Sequence, residues 1–491
     1  MRYLNCFLFL SVLFLSAPTA DAQYAQGKTP GSDSVVGNIM TLKQAVDIAL
    51  KNNLVVNQSD LQSQTNKVQY DQAWGNMLPN ISGSASQQIG FGRTLNSYDY
   101  TYVNQVNSGN YGISGSIVLF NGLQLLHNLQ ANNYAYGASK YDLQQQKDNI
   151  TLNVILAYLL VLSNQDQLVV LKEQADVDKR QVDRLEALNK EGALVLLSNL
   201  SDLQGQYAGD EINIAAAINA LETAKVSLFQ LMNVSYKRDL QYENNIPTTL
   251  SVSEYQQTPD SVYRTALDII PSIKSADLRT KAYQKFLQAV KGQYYPSLSF
   301  GGGISTSYSS LAFKTIPLGI DPAHNTGSYI VGNGGQKVPV LDTANLSRNE
   351  KLSWGDQFTQ NKNSYVGLQL NIPILNNLRA RNNVRIAKIN LRTAQLNATN
   401  TRLALQQNVE LAYQSMQAAY KQYKFYMDQV AAYAESFRTT EIRFNEGVIN
   451  SDVYVIAKNN VDRANTNLAA AKYTYIFRTK VMDYYQGKLT W

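Results

Sequence analysis

Leu78-Pro79-Asn80-Ile81-Ser82 and Tyr295-Pro296-Ser297-Leu298-Ser299 lie 217 residues apart and carry one pattern: a bulky residue, a proline, then alternation. The same offset lays Ala49-Leu50 on Ala266-Leu267, Asp60-Leu61 on Asp277-Leu278, and Gly75 on Gly292. Further on, the offset becomes 255. Asn153-Val154 then falls on Asn408-Val409, Leu156-Ala157-Tyr158 on Leu411-Ala412-Tyr413, and Glu191-Gly192 on Glu446-Gly447. The chain is one unit written twice. The offset grows by 38 residues, inserted in the second copy between about residues 305 and 362. An insertion of that size between two strand-like segments points to an exposed loop, where added length costs little.

Each proline junction opens onto period-two alternation. Across 297–308, Leu298, Phe300, Ile304 and Tyr308 share one side with Gly302 and Thr306, while serines and glycines take the other. Across 365–374, Val366, Leu368, Leu370, Ile372 and Ile374 face away from Gly367, Gln369 and Asn371. The first copy offers 81–91 and 111–119, the former noisier because Gln87 falls on the apolar side. Such segments make a sheet with one apolar and one polar face. About ten residues each suits a tilted strand crossing a bilayer. It equally suits a soluble antiparallel sheet half-covered by helices. The run Gly301-Gly302-Gly303 lies inside a strand and lacks a following Lys-Ser/Thr, so it is no phosphate loop.

Between the strand pairs run long stretches rich in Ala, Gln and Asn. From 377 to 445 there is neither proline nor glycine. As one helix these 69 residues would span roughly 100 Å. Leu405, Val409, Ala412, Met416, Ala419, Tyr423, Tyr426, Val430, Tyr433, Phe437, Thr440 and Phe444 recur at strict 4,3 spacing, and eleven of these twelve are apolar. The matching first-copy positions run from Ile150 to Asn189. Nine of twelve are apolar there, the exceptions being Asn164, Asp178 and Asn189. A sustained heptad seam means coiled-coil packing. Each seam ends at a glycine, Gly192 or Gly447, followed by a second helical stretch, 195–233 or 450–486. Glycine admits the left-handed residue that ends a helix, so each copy reads as an antiparallel helical hairpin. A further helix, 41–76 or 259–292, precedes each strand pair and gives way at Pro79 or Pro296.

Composition bounds the rest. Arg2, the apolar run 7–15 and Ala20-Asp21-Ala22 read as a secretory signal over 1–22. No later stretch holds 18 consecutive apolar residues, so no spanning helix is expected. Cys6 is the only cysteine and leaves with the signal, which excludes disulfides and thiolate chemistry in the mature chain. The net charge of +6 is mild and the Lys/Arg residues are unclustered, so no nucleic-acid binding is expected. Tyrosine is abundant, at 32 residues against 14 Phe, and suits positions with one wet and one apolar side. The domain plan is a signal at 1–22, a first repeat at 23–233, a linker at 234–258, a second repeat at 259–487 and a tail at 488–491. Loops near 92–110 and 309–363 would join the strand pairs.

Four strands cannot close a barrel, and an open sheet in lipid would strand two edges of unpaired backbone groups. If the strands span a membrane, several chains must pool them. At this point the chain resembles the TolC-type outer-membrane efflux proteins, or outer membrane factors. The resemblance covers the whole mature chain. It rests on Thr41-Leu42-Lys43-Gln44-Ala45-Val46-Asp47-Ile48-Ala49-Leu50 with Asn53, on the Leu-Pro and Tyr-Pro junctions, on the duplication, and on the turns at Gly192 and Gly447. One departure is Leu54, where members often have proline; Pro271 stands at the matching place in the second copy.

The resemblance implies a membrane β-barrel plus an all-α coiled-coil tunnel. A homotrimer would pool four strands per protomer into a twelve-stranded barrel in outer-membrane lipid, with the helical tunnel in the periplasm. It implies passive conduction, without cofactor or metal, in series with a periplasmic adaptor and an inner-membrane pump. The family's adaptor-docking tips map onto Gly192, Ala193 and Leu194 and onto Gly447, Val448 and Ile449. Members often carry acidic residues beyond the second tip, forming a ring that narrows the closed pore. Here Asp452 follows Gly447 by five residues, while Val453 and Ile456 thin the ring. Arg443 and Glu446 are candidates for closing ion pairs.

Two other classes compete with this one. An enzyme needs converging polar groups, yet the only histidines are His127 and His324, one in a helix and one in the insertion. A non-transport periplasmic coiled-coil scaffold or adhesin, with a soluble sheet, is the alternative.

Overall fold

The computed structural model describes residues 38–96, 100–191, 197–244, 255 and 257–488. The signal at 1–22, the first tip at Gly192, Ala193 and Leu194, most of the later linker and all but Lys488 of the tail lie outside these residues. In chain order the elements are β1 (Ile39–Met40), α1 (Leu42–Asn52), α2 (Leu54–Gly75), β2 (Asn80–Leu95), β3 (Tyr102–Phe120), α3 (Gln124–Lys190) and α4 (Leu197–Met232). The linker carries β4 (Gln241–Tyr242). Then follow α5 (Pro259–Ile269), α6 (Pro271–Lys291), β5 (Ser297–Ser309), β6 (Phe313–Val331), β7 (Lys337–Lys351), α7 (Trp354–Gln360), β8 (Asn363–Asn371), α8 (Arg379–Asn445) and α9 (Ser451–Tyr485). The chain divides into a helical unit, Met1–Lys67 with Tyr134–Lys281 and Arg392–Trp491, and a sheet unit, Val68–Asn133 with Ala282–Leu391.

In the helical unit, local chemistry sets the helix ends. Thr41 caps α1 through a reciprocal box with Gln44, and Thr258, 217 residues on, accepts from the Ser261 N–H to cap α5. The single helices expected over 41–76 and 259–292 are each broken. The break falls at Asn53 and at Ile270, with backbone angles of −64°, 126° and −63°, 124°. Pro271 forces the second break, since a proline has no N–H to offer and restricts the residue before it. Asn53 does the same work with a side chain. Its Oδ1 accepts from the Val55 and Val56 N–H groups at 2.9 and 3.4 Å, and its Nδ2 donates to the Leu231 carbonyl at 2.9 Å.

The heptad seam is observed. All twelve second-copy positions are buried or half-buried, from Leu405 to Phe444. In the first copy Ile150, Val154, Val161, Ala175, Val182 and Leu185 are buried. Near the linker, Val154, Ile155, Tyr158 and Leu162 of α3 meet Ala45, Val46 and Ala49 of α1 and Leu228 and Phe229 of α4. Tyr158 donates its hydroxyl to the Met40 and Glu243 carbonyls, tying down the parallel pair β1–β4. This packing also explains the apolarity of α3, for which no spanning role is expected. α3 contains an 18-residue window of mean hydropathy 1.7, apolar enough by composition to cross a membrane. That apolarity serves protein contacts, because these side chains face two neighbouring helices.

In the sheet unit, β2, β3, β5 and β8 pair antiparallel in that order. The registers put Ile81, Ile113, Ile117, Phe300, Ile304, Leu368 and Leu370 on one face. Ser82, Ser114, Ser116, Ser299, Tyr365 and Gln369 line a concavity on the other. The glycine run in β5 is a close-approach device: a Cβ on Gly302 would lie 2.9 Å from the Tyr365 carbonyl oxygen, and one on Gly303 3.0 Å from that of Ile113. The expected loop at 92–110 is mostly strand, because β2 and β3 keep pairing as far as Leu95 and Tyr102. The expected loop at 309–363 is likewise a second hairpin, β6–β7, followed by α7. These extensions mix apolar and polar residues on both faces, and register shifts interrupt their pairing, so their periodic signal is weak.

Candidate functional site

The second tip is built by a helix stop. Gly447 adopts φ +69°, its N–H donates to the Phe444 carbonyl at 3.0 Å, and the Val448 N–H donates to the Arg443 carbonyl at 2.9 Å. This is a Schellman closure, and an L-residue at Gly447 would be strained. Arg184 of α3 reaches across and donates to the Asn445 carbonyl at 2.9 Å and to its side-chain oxygen, satisfying a terminal acceptor of α8. The start of α9 is capped from the other copy. Asn450 makes no side-chain cap; instead Asn199 Oδ1 accepts from the Ser451 N–H at 3.3 Å, and the Ser451 hydroxyl donates to Asp202 at 2.7 Å. Val182, Leu185, Leu200, Leu203, Phe444 and Tyr454 form the apolar core beneath, and Ile449 packs against it.

The gate candidates stand apart from this network. Arg443, Glu446 and Asp452 are exposed, and none lies within ion-pair distance of an opposite charge among the described residues. Arg443 sits in the last turn of α8 and Asp452 in the first turn of α9, where each charge suits its helix dipole. Of the tip residues, Gly447 and Val448 are exposed while Ile449 is half-buried.

Sequence reasoning misses the most charged spot. Lys458 of α9 is 2% exposed and Asp178 of α3 is 0% exposed, their charged atoms 3.6 Å apart. Asp462 takes a closer bond from the same ammonium, and Lys458 also donates to the Gln174 carbonyl at 3.4 Å. Asp210 of α4 is buried alongside, with one oxygen unpartnered. Two carboxylates thus share one ammonium, with a third, Asp210, beside Asp178. Burial, then the neighbouring Asp210 and Asp462, pushes the Asp178 carboxyl up to about 7 against the pull of Lys458. Burial raises Asp462 as well. One signal is present in the sequence: Asp178 occupies a seam position where hydrophobes are expected.

A sheet with an apolar outer face and two open edges, carried on a chain of duplicated helical hairpins, defines the class of outer-membrane channels that combine a β-barrel with a helical conduit. The family model for outer membrane efflux proteins matches residues 45–234 and 262–477, once in each copy, and the chain belongs to that family. Among solved structures, the CmeC outer membrane channel of Campylobacter jejuni superposes with a TM-score of 0.71 at 17% identity, over 91% of this chain and 86% of that one. The outer membrane protein VceC of Vibrio cholerae gives 0.71 at 12% identity, over 91% and 96%. The open MtrE channel of Neisseria gonorrhoeae gives 0.65 at 17% identity, over 91% and 89%. No curated protein matches the chain. The protein is an outer-membrane efflux channel, a conduit rather than an enzyme.

Proposed function

We propose that the protein is the exit duct of a tripartite efflux or secretion system. Three copies pool their sheets into a twelve-stranded barrel, and the hairpins form a periplasmic tunnel met by an adaptor and an inner-membrane pump. The duct is passive and the pump supplies the energy. The observation that carries this is the four-stranded sheet whose edge strands, β2 and β8, have no partner on their outer sides among the described residues. Such edges have no place in hydrocarbon unless neighbouring copies pair them. The mass of the detergent-extracted protein from the outer-membrane fraction tests this. A trimer is the expected result; a soluble monomer would sink the reading.

Docking by Gly192, Ala193 and Leu194 and by Gly447, Val448 and Ile449 is the second part of the proposal. Val448→Lys changes an exposed residue outside the core. It should abolish substrate export while the trimer stays intact, and unaltered drug tolerance would remove the docking role. A gating role for Arg443, Glu446 and Asp452 requires partners on neighbouring subunits. Arg443→Ala should then raise the conductance of the trimer in planar bilayers; unchanged conductance would leave these residues as helix-end charges only. The hairpin β6–β7 is placed outside the cell. Protease added to intact cells should cut it, and cutting only after permeabilisation would reverse that orientation.

A further inference from the structure

The insertion in the second copy ends in α7, and α7 does not hang free. Tyr111 alternates onto the same face as Ile113 and Ile117, and Thr306 onto the same face as Ile304. Both are covered by α7. The Tyr111 ring meets Trp354 edge-on at 6.0 Å and Phe358 at 5.9 Å, and Trp354 stacks on Phe358 at 5.0 Å. The Thr306 hydroxyl donates to the Phe358 carbonyl at 3.0 Å. Gln357, 1% exposed, imitates a neighbouring strand: its side chain accepts from the Ser309 N–H at 2.8 Å and donates to the Ser309 and Leu352 carbonyls. Asn361 then donates to the Ser307 carbonyl at 2.7 Å. The helix is thereby fixed on the apolar side of the sheet.

It sits where that apolar face ends. Ile304 is followed on the same side by Thr306, and Val366 is preceded by Ser364. Below α7 the exposed face is Ile304, Val366 and Leu368. Above it β6 and β7 carry charges on both faces. Despite its packing, α7 leaves Trp354 48% and Phe358 36% exposed, and the Trp354 ring N–H meets no protein acceptor among the described residues. The one acid of the helix, Asp356, is used internally by Ser353. Exposed Lys351 and Lys362 bracket it in sequence. An aromatic with one apolar and one wet side, flanked by cations at the rim of an apolar band, is the composition of a bilayer interface.

We infer that α7 is an interfacial anchor: it lays Trp354 and Phe358 into the headgroup–acyl boundary of the outer leaflet, with Lys351 and Lys362 facing anionic headgroups. The inference rests on the sheet spanning the membrane. The occupant is lipid rather than a neighbouring copy, because α7 lies over β3 and β5, the two central strands, and leaves the edge strands free for pairing. The chain has three tryptophans, Trp74, Trp354 and Trp491, which makes the test direct.

Protein carrying Trp74→Phe and Trp491→Phe is reconstituted into phosphatidylcholine vesicles brominated either near the headgroups or near the chain ends. Trp354 emission should be quenched about twofold more by the shallow bromines than by the deep ones. In a background that also carries Trp354→Phe, Leu368→Trp should respond mainly to the deep bromines. Quenching of Leu368→Trp without quenching of Trp354 would overturn the anchor and leave the barrel standing. Stronger quenching of Trp354 by deep bromines would overturn the interfacial depth. Failure of both probes would remove the membrane-spanning sheet, and the anchor with it.

Discussion

In the first copy the returning helix places Leu203 in an apolar core; 255 residues later the matching position is Lys458, buried among carboxylates. Four residues on, Tyr207 of the first copy corresponds to Asp462 of the second. The backbone plan of the two hairpins is the same. Leu203 adds stability by leaving water, whereas Lys458 must recover the cost of its own desolvation from partners on α3 and α9. A duplicated fold thus holds its geometry while its interior chemistry diverges, and the divergence makes the packing between the two hairpins sensitive to protons.

The largest effect should come from breaking the charged side alone. Lys458→Met leaves Asp178, Asp210 and Asp462 facing one another without a cation. Thermal unfolding of the extracted protein at pH 8 should report a loss of roughly 3–5 kcal/mol, with a smaller loss at pH 5, where the carboxyls take up protons. Giving α9 its first-copy residues, Lys458→Leu and Asp462→Tyr, together with Asp178→Asn to remove the carboxylate left facing them, should recover stability to within about 1 kcal/mol of the parent. Failure to recover would mean that the two hairpins are less alike than their seams suggest.

Asp178→Asn sharpens the comparison through pH. The folded carboxyl is raised above its ordinary value of 3.8 to about 7, chiefly by burial and then by Asp210 and Asp462, with Lys458 opposing. The folded state therefore holds this proton more tightly than the unfolded chain. The contribution is fully present below about pH 4 and is lost as pH rises through about 7. The asparagine variant should gain on the parent by roughly 2 kcal/mol at pH 8 and differ little at pH 4. The Tyr454 ring, also raised by burial and by Asp178 and Glu441, stays neutral throughout this window.

A smaller contrast lies at the helix breaks. Asn53→Ala removes the acceptor of the Val55 and Val56 N–H groups and the donor to Leu231, and should cost about 1–2 kcal/mol. Leu54→Pro copies the second-copy solution. With backbone angles matched to within two degrees, it should be neutral or stabilise by up to about 1 kcal/mol. A large loss on Leu54→Pro would show that the α2 N-terminus needs its own N–H.

These contrasts also mark what is legible in the sequence. The duplication, the seam and the apolar sheet face are readable because burial repeats with the period of the element. The tip at Gly447 is readable because only a left-handed residue closes that helix. The break at Asn53 is not, since Leu54 hides what Pro271 announces. The extensions of β2 and β3 and the hairpin β6–β7 are hidden because apolar and polar residues mix on both faces and register shifts break the alternation. The ion cluster is hidden because its members come from α3, α4 and α9. Only Asp178, out of place in a hydrophobic seam, points toward it.

The open edges of β2 and β8 have a kinetic corollary. If neighbouring copies pair those edges, as the proposed trimer requires, insertion is a collective act. Its rate should climb more steeply than the supply of newly exported chains, and a modest shortfall in synthesis would cost the cell more channels than chains.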